Sequence, residues 1–160
     1  MYYLRFLRLQ GTPEEVARGI AIGVFIGITP TIPFHTVLVL SAALFFRANK
    51  IAGLLASWVV SNPLTFFLQY YFSWRIGSFL LPYEISWEQV HGIIGIVSGH
   101  GSIQTTIKEL SKLGGTAVSV MVAGGIVLAL PFTIASYYAA LSFFARRERR
   151  KLKRKRFLHT

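Results

Sequence analysis

The side chains that could do chemistry are few and poorly grouped for it. The chain has 6 acidic residues, all Glu, along with 4 His and no Cys. The missing Cys excludes a disulfide scaffold, thiolate metal sites and a Cys nucleophile. His91 and His100 have only Glu84 and Glu88 near them in sequence, which does not complete a coordination sphere, so no metal and no cofactor is expected. Hydrolysis or group transfer within an apolar medium calls for an activated Ser, paired carboxylates or a metal. The long apolar runs hold one group that titrates near neutral pH, His35, and no carboxylate. No enzyme is expected.

The polar residues of those runs gather instead around prolines. Thr29, Thr31, His35 and Thr36 surround Pro30 and Pro33, while Ser61, Asn62 and Thr65 surround Pro63. Proline removes a backbone donor and clashes with the preceding turn, so a helix breaks there and exposes unpaired backbone groups. The amides opening the next half-helix carry a partial positive charge that suits an anion. Thr29, His35, Asn62 and Thr65 would supply hydrogen bonds, and Arg75 charge, to a phosphate-bearing lipid headgroup or solute. The same residues also fit a plain structural role, with Asn62 and Thr65 capping the second half-helix and the Arg75 head snorkelling to an interface. Both readings stand at this level.

The elements that must position these residues are apolar helices. Hydrophobic residues make up 53% of the chain and charged ones 14%, against about 25% charged in an ordinary soluble domain. Charge is absent from Gly19 to Phe46, from Ile51 to Trp74 and from Leu113 to Ala145. Each stretch exceeds the roughly 20 residues needed to cross a bilayer. The first two are interrupted at Pro30-Thr31-Ile32-Pro33 and at Ser61-Asn62-Pro63, and the third contains Pro131. Each interrupted run is either a kinked span or a hairpin that enters, turns and leaves on the same side, a pattern that marks binding sites in transporters.

Thr12-Pro13-Glu14-Glu15 spells a helix start, with Thr12 as cap, Pro13 in the first turn and Glu15 closing a capping box. Gly19, Gly23 and Gly27 come next at four-residue spacing and leave one helix face bare for close packing. Residues 82–112 are too polar to span and read as amphipathic interfacial helices, as does the lead-in from Met1 to Gln10.

The net charge of +11 is concentrated in the tail, where Arg146 to Arg156 reads RRERRKLKRKR. The positive-inside rule places this tail in the cytoplasm, and Arg5, Arg8 and Arg18 place the N-terminus there too, which requires an even number of crossings. Such a cluster also attracts anionic headgroups. Nucleic-acid binding is not expected without a folded reading module.

Ala17 to Leu80 resembles a bacterial membrane family, domain of unknown function 2062, through Gly19-Ile20-Ala21-Ile22-Gly23-Val24-Phe25-Ile26-Gly27, Thr29-Pro30, His35-Thr36, Arg47-Ala48-Asn49-Lys50, Ser61-Asn62-Pro63-Leu64-Thr65, Tyr70-Tyr71 and Gly77. Pro33 stands where that pattern commonly has Gly. The resemblance implies an integral membrane protein and no particular activity.

The expectation is an all-α, polytopic protein of the inner (plasma) membrane with both termini cytoplasmic. Residues 1–145 form one embedded domain, comprising a core at 12–81, a connector at 82–112 and a C-terminal run at 113–145, with a disordered basic tail at 146–160. Its expected role is to bind or move an anionic lipid or solute; the rival is a non-catalytic scaffold beside a partner membrane protein. Either role makes a homo-oligomer expected.

Overall fold

A computed structural model describes residues 11–31, 34–82 and 115–157. Among the described residues the regular structure is entirely α-helical, with five helices and no strand. They are α1 (Pro13–Ile28), α2 (His35–Phe45), α3 (Lys50–Val60), α4 (Pro63–Leu80) and α5 (Gly115–Phe157). The polar connector, the lead-in segment and Pro33 lie outside the described residues.

Local chemistry sets most of the boundaries. Thr12 caps α1 by accepting from the Glu15 amide, and the Glu15 carboxylate accepts from the Thr12 amide at 3.1 Å, so the capping box forms as spelled. Thr29, which precedes Pro30, is pushed to extended backbone at ψ 132, and α1 stops. The Asn49 side chain caps α3 by accepting from the Ala52 amide at 2.9 Å. Pro63 opens α4 at a position where its missing donor costs nothing.

One stretch outruns its boundary. The basic residues from Arg146 onward continue α5, which runs through Pro131 to Phe157 as one 43-residue helix, where the sequence reading places a disordered tail. Arg and Lys are good helix formers, and elongating an existing helix avoids the unfavourable nucleus that an isolated basic peptide would face.

Packing centres on α1. Its glycines step along α3 in a fixed register: Gly19 faces Asn49 and Ala52, Gly23 faces Gly53 and Ala56, and Gly27 faces Ser57 and Val60. Equal steps in the same sense mean that α1 and α3 run parallel. A Cβ at Gly19 or Gly23 would collide with the carbonyl oxygen of Asn49 or Gly53, so only glycine permits this approach. Helix α2, which connects them in the chain, returns in the opposite sense and packs beside both. The carbonyl of Phe46, just past its end, accepts from Arg18 Nη1 at 3.2 Å, and the Asn49 amide donates to the Glu15 carbonyl at 2.9 Å, which brings the α2–α3 link back to the start of α1. The first interrupted run is thus folded back on itself as a helical hairpin.

A second seam joins α4 to α5. Gly124 lies against the Ser73 carbonyl and Gly77 against the Val120 carbonyl, so these helices run antiparallel. Helix α5 also serves as a ruler. Its Ala129 is buried with Val24, Ile28 and Ala56, its Gly125 meets Thr29 and Pro30 where α1 ends, and its Val120 meets Gly77 farther along. Helix α4 therefore continues past the level at which the first run turns back.

Candidate functional site: the two helix breaks

The two interruptions lie side by side. Ser61 Oγ donates to the Gly27 carbonyl at 2.9 Å, bridging the end of α3 to the last turn of α1. The glycine register causes this, since it carries the two helices together to the same level before each breaks.

Most polar groups freed at the breaks are bonded within the chain. Thr29 Oγ1 donates to the Phe25 carbonyl at 2.9 Å, and Thr31 Oγ1 reaches the Ile26 carbonyl at 3.5 Å. The Thr31 amide donates to the Thr29 carbonyl at 2.8 Å, and the Phe34 amide to the Thr31 carbonyl at 2.9 Å. At the second break Thr65 Oγ1 donates to the Val60 carbonyl at 2.6 Å and accepts from the Asn62 amide at 3.2 Å. Gln69 Nε2 gives the Val60 carbonyl a second donor at 3.0 Å. The Phe25 carbonyl keeps its helical donor, the Thr29 amide. Those of Ile26, Gly27 and Val60, at the ends of the broken helices, are reached by the side chains of Thr31, Ser61 and Thr65 with Gln69, the arrangement that makes a broken helix tolerable away from water.

The five residues expected to bind an anion are only partly gathered. Thr29 is buried at the end of α1, and Asn62 and Thr65 sit beyond Ser61, which is bonded to Gly27. His35 opens α2; its Nε2 is enclosed with no hydrogen-bond partner among the described residues. Arg75 is exposed on α4, two residues and roughly 200° of helix from Ser73, the residue facing α5. Its guanidinium stem therefore lies on a different face from the seam that leads to Thr29. Arg75 instead lines a cleft of ≈ 460 Å³ whose other described lining residues are Ile76, Ser78 and Phe79 of the same helix. Of the three proline breaks, Pro30 packs its Cδ against Gly125 and Pro63 begins α4.

Several residues at this centre carry weight that residue-type reasoning passes over. Ser73 is 0% exposed, and its Oγ has no hydrogen-bond partner among the described residues. Gly124 and Gly125 bring α5 onto Ser73 and onto the Thr29–Pro30 turn. Ser73 and Gly77 stand four apart, a small-residue spacing that signals close helix contact. Arg47 lies in the left-handed region at φ 48. Among the described residues no three His, Asp or Glu side chains gather.

No curated protein and no solved structure matches the chain. The model of the family described as "Uncharacterized protein conserved in bacteria (DUF2062)" matches residues 1–153, well beyond the 17–80 stretch that carries the sequence resemblance. The glycine seam, the paired breaks and α5 as far as residue 153 all lie within the matched stretch, and the chain belongs to the DUF2062 family.

Proposed function

We propose that this chain is a non-catalytic integral membrane protein that serves as a helix-packing scaffold for a partner membrane protein or a second copy of itself. The observation that carries this reading is the inward closure of both breaks. Ser61, Thr65, Thr29 and Gln69 commit their donors to Gly27, Val60 and Phe25 carbonyls, while large apolar side chains are left facing outward. Phe45 is 82% and Phe79 91% exposed, and Phe34, Val37, Leu44, Ile51, Trp58 and Val59 are exposed as well. Apolar surface on that scale is covered in life by lipid or by protein. Among the described residues one helix, α5 between Gly115 and Arg150, is long and apolar enough to cross a membrane.

In this reading α1–α2 re-enters, α3–α4 crosses as a kinked span, α5 crosses back, and both ends are cytoplasmic in the inner membrane. The register along α5 supports it, because α4 extends past the end of α1 whereas α2 returns. The chain's lack of Cys gives a clean background for labelling. In intact cells a membrane-impermeant maleimide should label Pro82→Cys and spare Lys50→Cys. Equal labelling at both positions would remove the crossing of α3–α4.

A second reading has the paired breaks hold an anionic lipid or solute through Thr29, His35, Asn62 and Thr65, without Arg75, which lies on a separate face. Two enclosed polar atoms without partners among the described residues favour it, Ser73 Oγ beside the Thr29–Pro30 turn and His35 Nε2. Asn62→Ala with Thr65→Ala would then lower retention of an anionic phospholipid in native mass spectrometry. Unchanged retention leaves the scaffold reading alone.

A further inference from the structure

The α2–α3 link holds a conformational oddity with a chemical reading. Helix α2 ends in a tight turn in which the Ala48 amide donates to the Ala43 carbonyl at 2.8 Å and the Arg47 amide to the Leu44 carbonyl at 3.2 Å. This pair of bonds requires a left-handed residue, and the residue there is Arg47 at φ 48. Glycine is the usual occupant because a Cβ is penalised in that conformation. An arginine has been placed where the backbone would be better served without a side chain. A strained residue of this kind motivates a search for function.

The surroundings supply one. Phe45 and Phe46 precede Arg47, 82% and 55% exposed, with ring centroids 5.0 Å apart in an edge-to-face pair. Lys50 is exposed one turn later, and Arg18 reaches the same turn by donating to the Phe46 carbonyl. Because α5 runs antiparallel to α1, its Arg146, Arg149 and Arg150 lie toward this end as well, all exposed. Among the described residues the acidic groups at this end are Glu14, Glu148 and Glu15, the last engaged by the Thr12 amide. Aromatic rings beside cations, set at the rim of an apolar body, match the layered chemistry of a membrane interface whose headgroups are anionic.

We propose that the tip Phe45-Phe46-Arg47, with Lys50, is a docking site for the phosphate of an anionic phospholipid, the two rings entering the acyl boundary and the Arg47 guanidinium engaging the headgroup. The proposal rests on the membrane reading above and differs in place from the helix breaks. Binding here would fix how deep the α1–α2 hairpin sits and so the level of both breaks.

The test compares wild type, Arg47→Gly and Arg47→Lys, each reconstituted in phosphatidylcholine vesicles with and without phosphatidylglycerol, then released into detergent and counted for bound lipid by native mass spectrometry. Arg47→Gly should lower phosphatidylglycerol retention about five-fold, the loss of one interfacial base, with phosphatidylcholine unchanged. Its melting temperature should not fall, since glycine suits the turn, and Arg47→Lys should retain the lipid. Equal phosphatidylglycerol retention by Arg47→Gly and wild type overturns the proposal, as does a parallel loss of both lipids. Failure of the wild type itself to enter vesicles would sink the membrane reading and the proposal with it, a result separable from the other two.

Discussion

Thr65 does two jobs with one hydroxyl, giving its hydrogen to the Val60 carbonyl and a lone pair to the Asn62 amide. Thr65→Val keeps the shape and removes both bonds, so it should lower stability by about 1 kcal/mol, read as a drop in detergent melting temperature. Ser61→Ala removes the bridge to Gly27 and leaves a carbonyl unsatisfied by that donor, for a loss of about 1 to 3 kcal/mol. If both variants melt like wild type, the breaks are not held together by these hydroxyls. The residue types at the breaks were readable in advance, because Ser, Thr and Asn beside proline are the groups that can repair a broken helix. Which carbonyl each repairs was not. Ser61 and Gly27 are joined only because two helices 34 residues apart in sequence arrive at one level.

At the scale of elements, the α1–α3 seam is a statement about register and can be tested as one. A Cβ built on Gly27 lies 3.3 Å from the Val60 Cβ, close to the roughly 3.5–4.5 Å spanned by a disulfide. Gly27→Cys with Val60→Cys should cross-link on mild oxidation. Gly27→Cys with Ala52→Cys should not, since Ala52 faces Gly19, two helical turns away. The reverse outcome would mean that the helices are antiparallel or slipped. Gly23→Leu, placed on the Gly53 carbonyl, should cost about 1 to 3 kcal/mol or more through overpacking, again seen as a lower melting temperature. The four-residue spacing of these glycines announces a contact face in the sequence. It does not name the partner, and the matching small residues Gly53, Ala56 and Ser57 stand out only once α3 lies alongside. Pro131 teaches the converse. A proline inside an apolar run reads as a break, yet α5 continues through it, and Thr133 Oγ1 donates to the Ala129 carbonyl at 2.8 Å within the same turn. Whether a proline breaks a helix or is absorbed by it depends on the residues downstream: Pro30 has a second proline three residues on, whereas Pro131 is succeeded by residues that re-form the helix.

For the whole molecule, α5 is the element that joins α4 to the unit built on α1, lying against α1 and α4 through Ala129, Gly125, Gly124 and Val120. Gly125→Val would set a side chain against Pro30 Cδ and Ser73 Oγ, so it should loosen both contacts at once. The expected outcome is faster proteolysis of the detergent-solubilised protein than for Gly23→Ala, which disturbs the α1–α3 seam alone. Similar digestion rates would show that α5 is not the shared support. The exposed apolar rim adds a cellular expectation: the protein should stay with the membrane pellet after alkaline carbonate extraction, and its release would contradict embedding.

Helical class, the start of α1, the positions of the first two breaks and membership of the DUF2062 family were all written in the sequence, since each depends on residues within a turn or two of one another or on an ordered local pattern. The folding back of the first run, the onward course of the second, the adjacency of the breaks, the separate face taken by Arg75 and the left-handed Arg47 were decided by tertiary contact alone. The physical reason is that the breaks at Pro30 and Pro63 mark where α1 and α3 stop but not the direction in which the chain leaves. That direction was set by which bare glycine faces could approach each other's backbone without a Cβ between them.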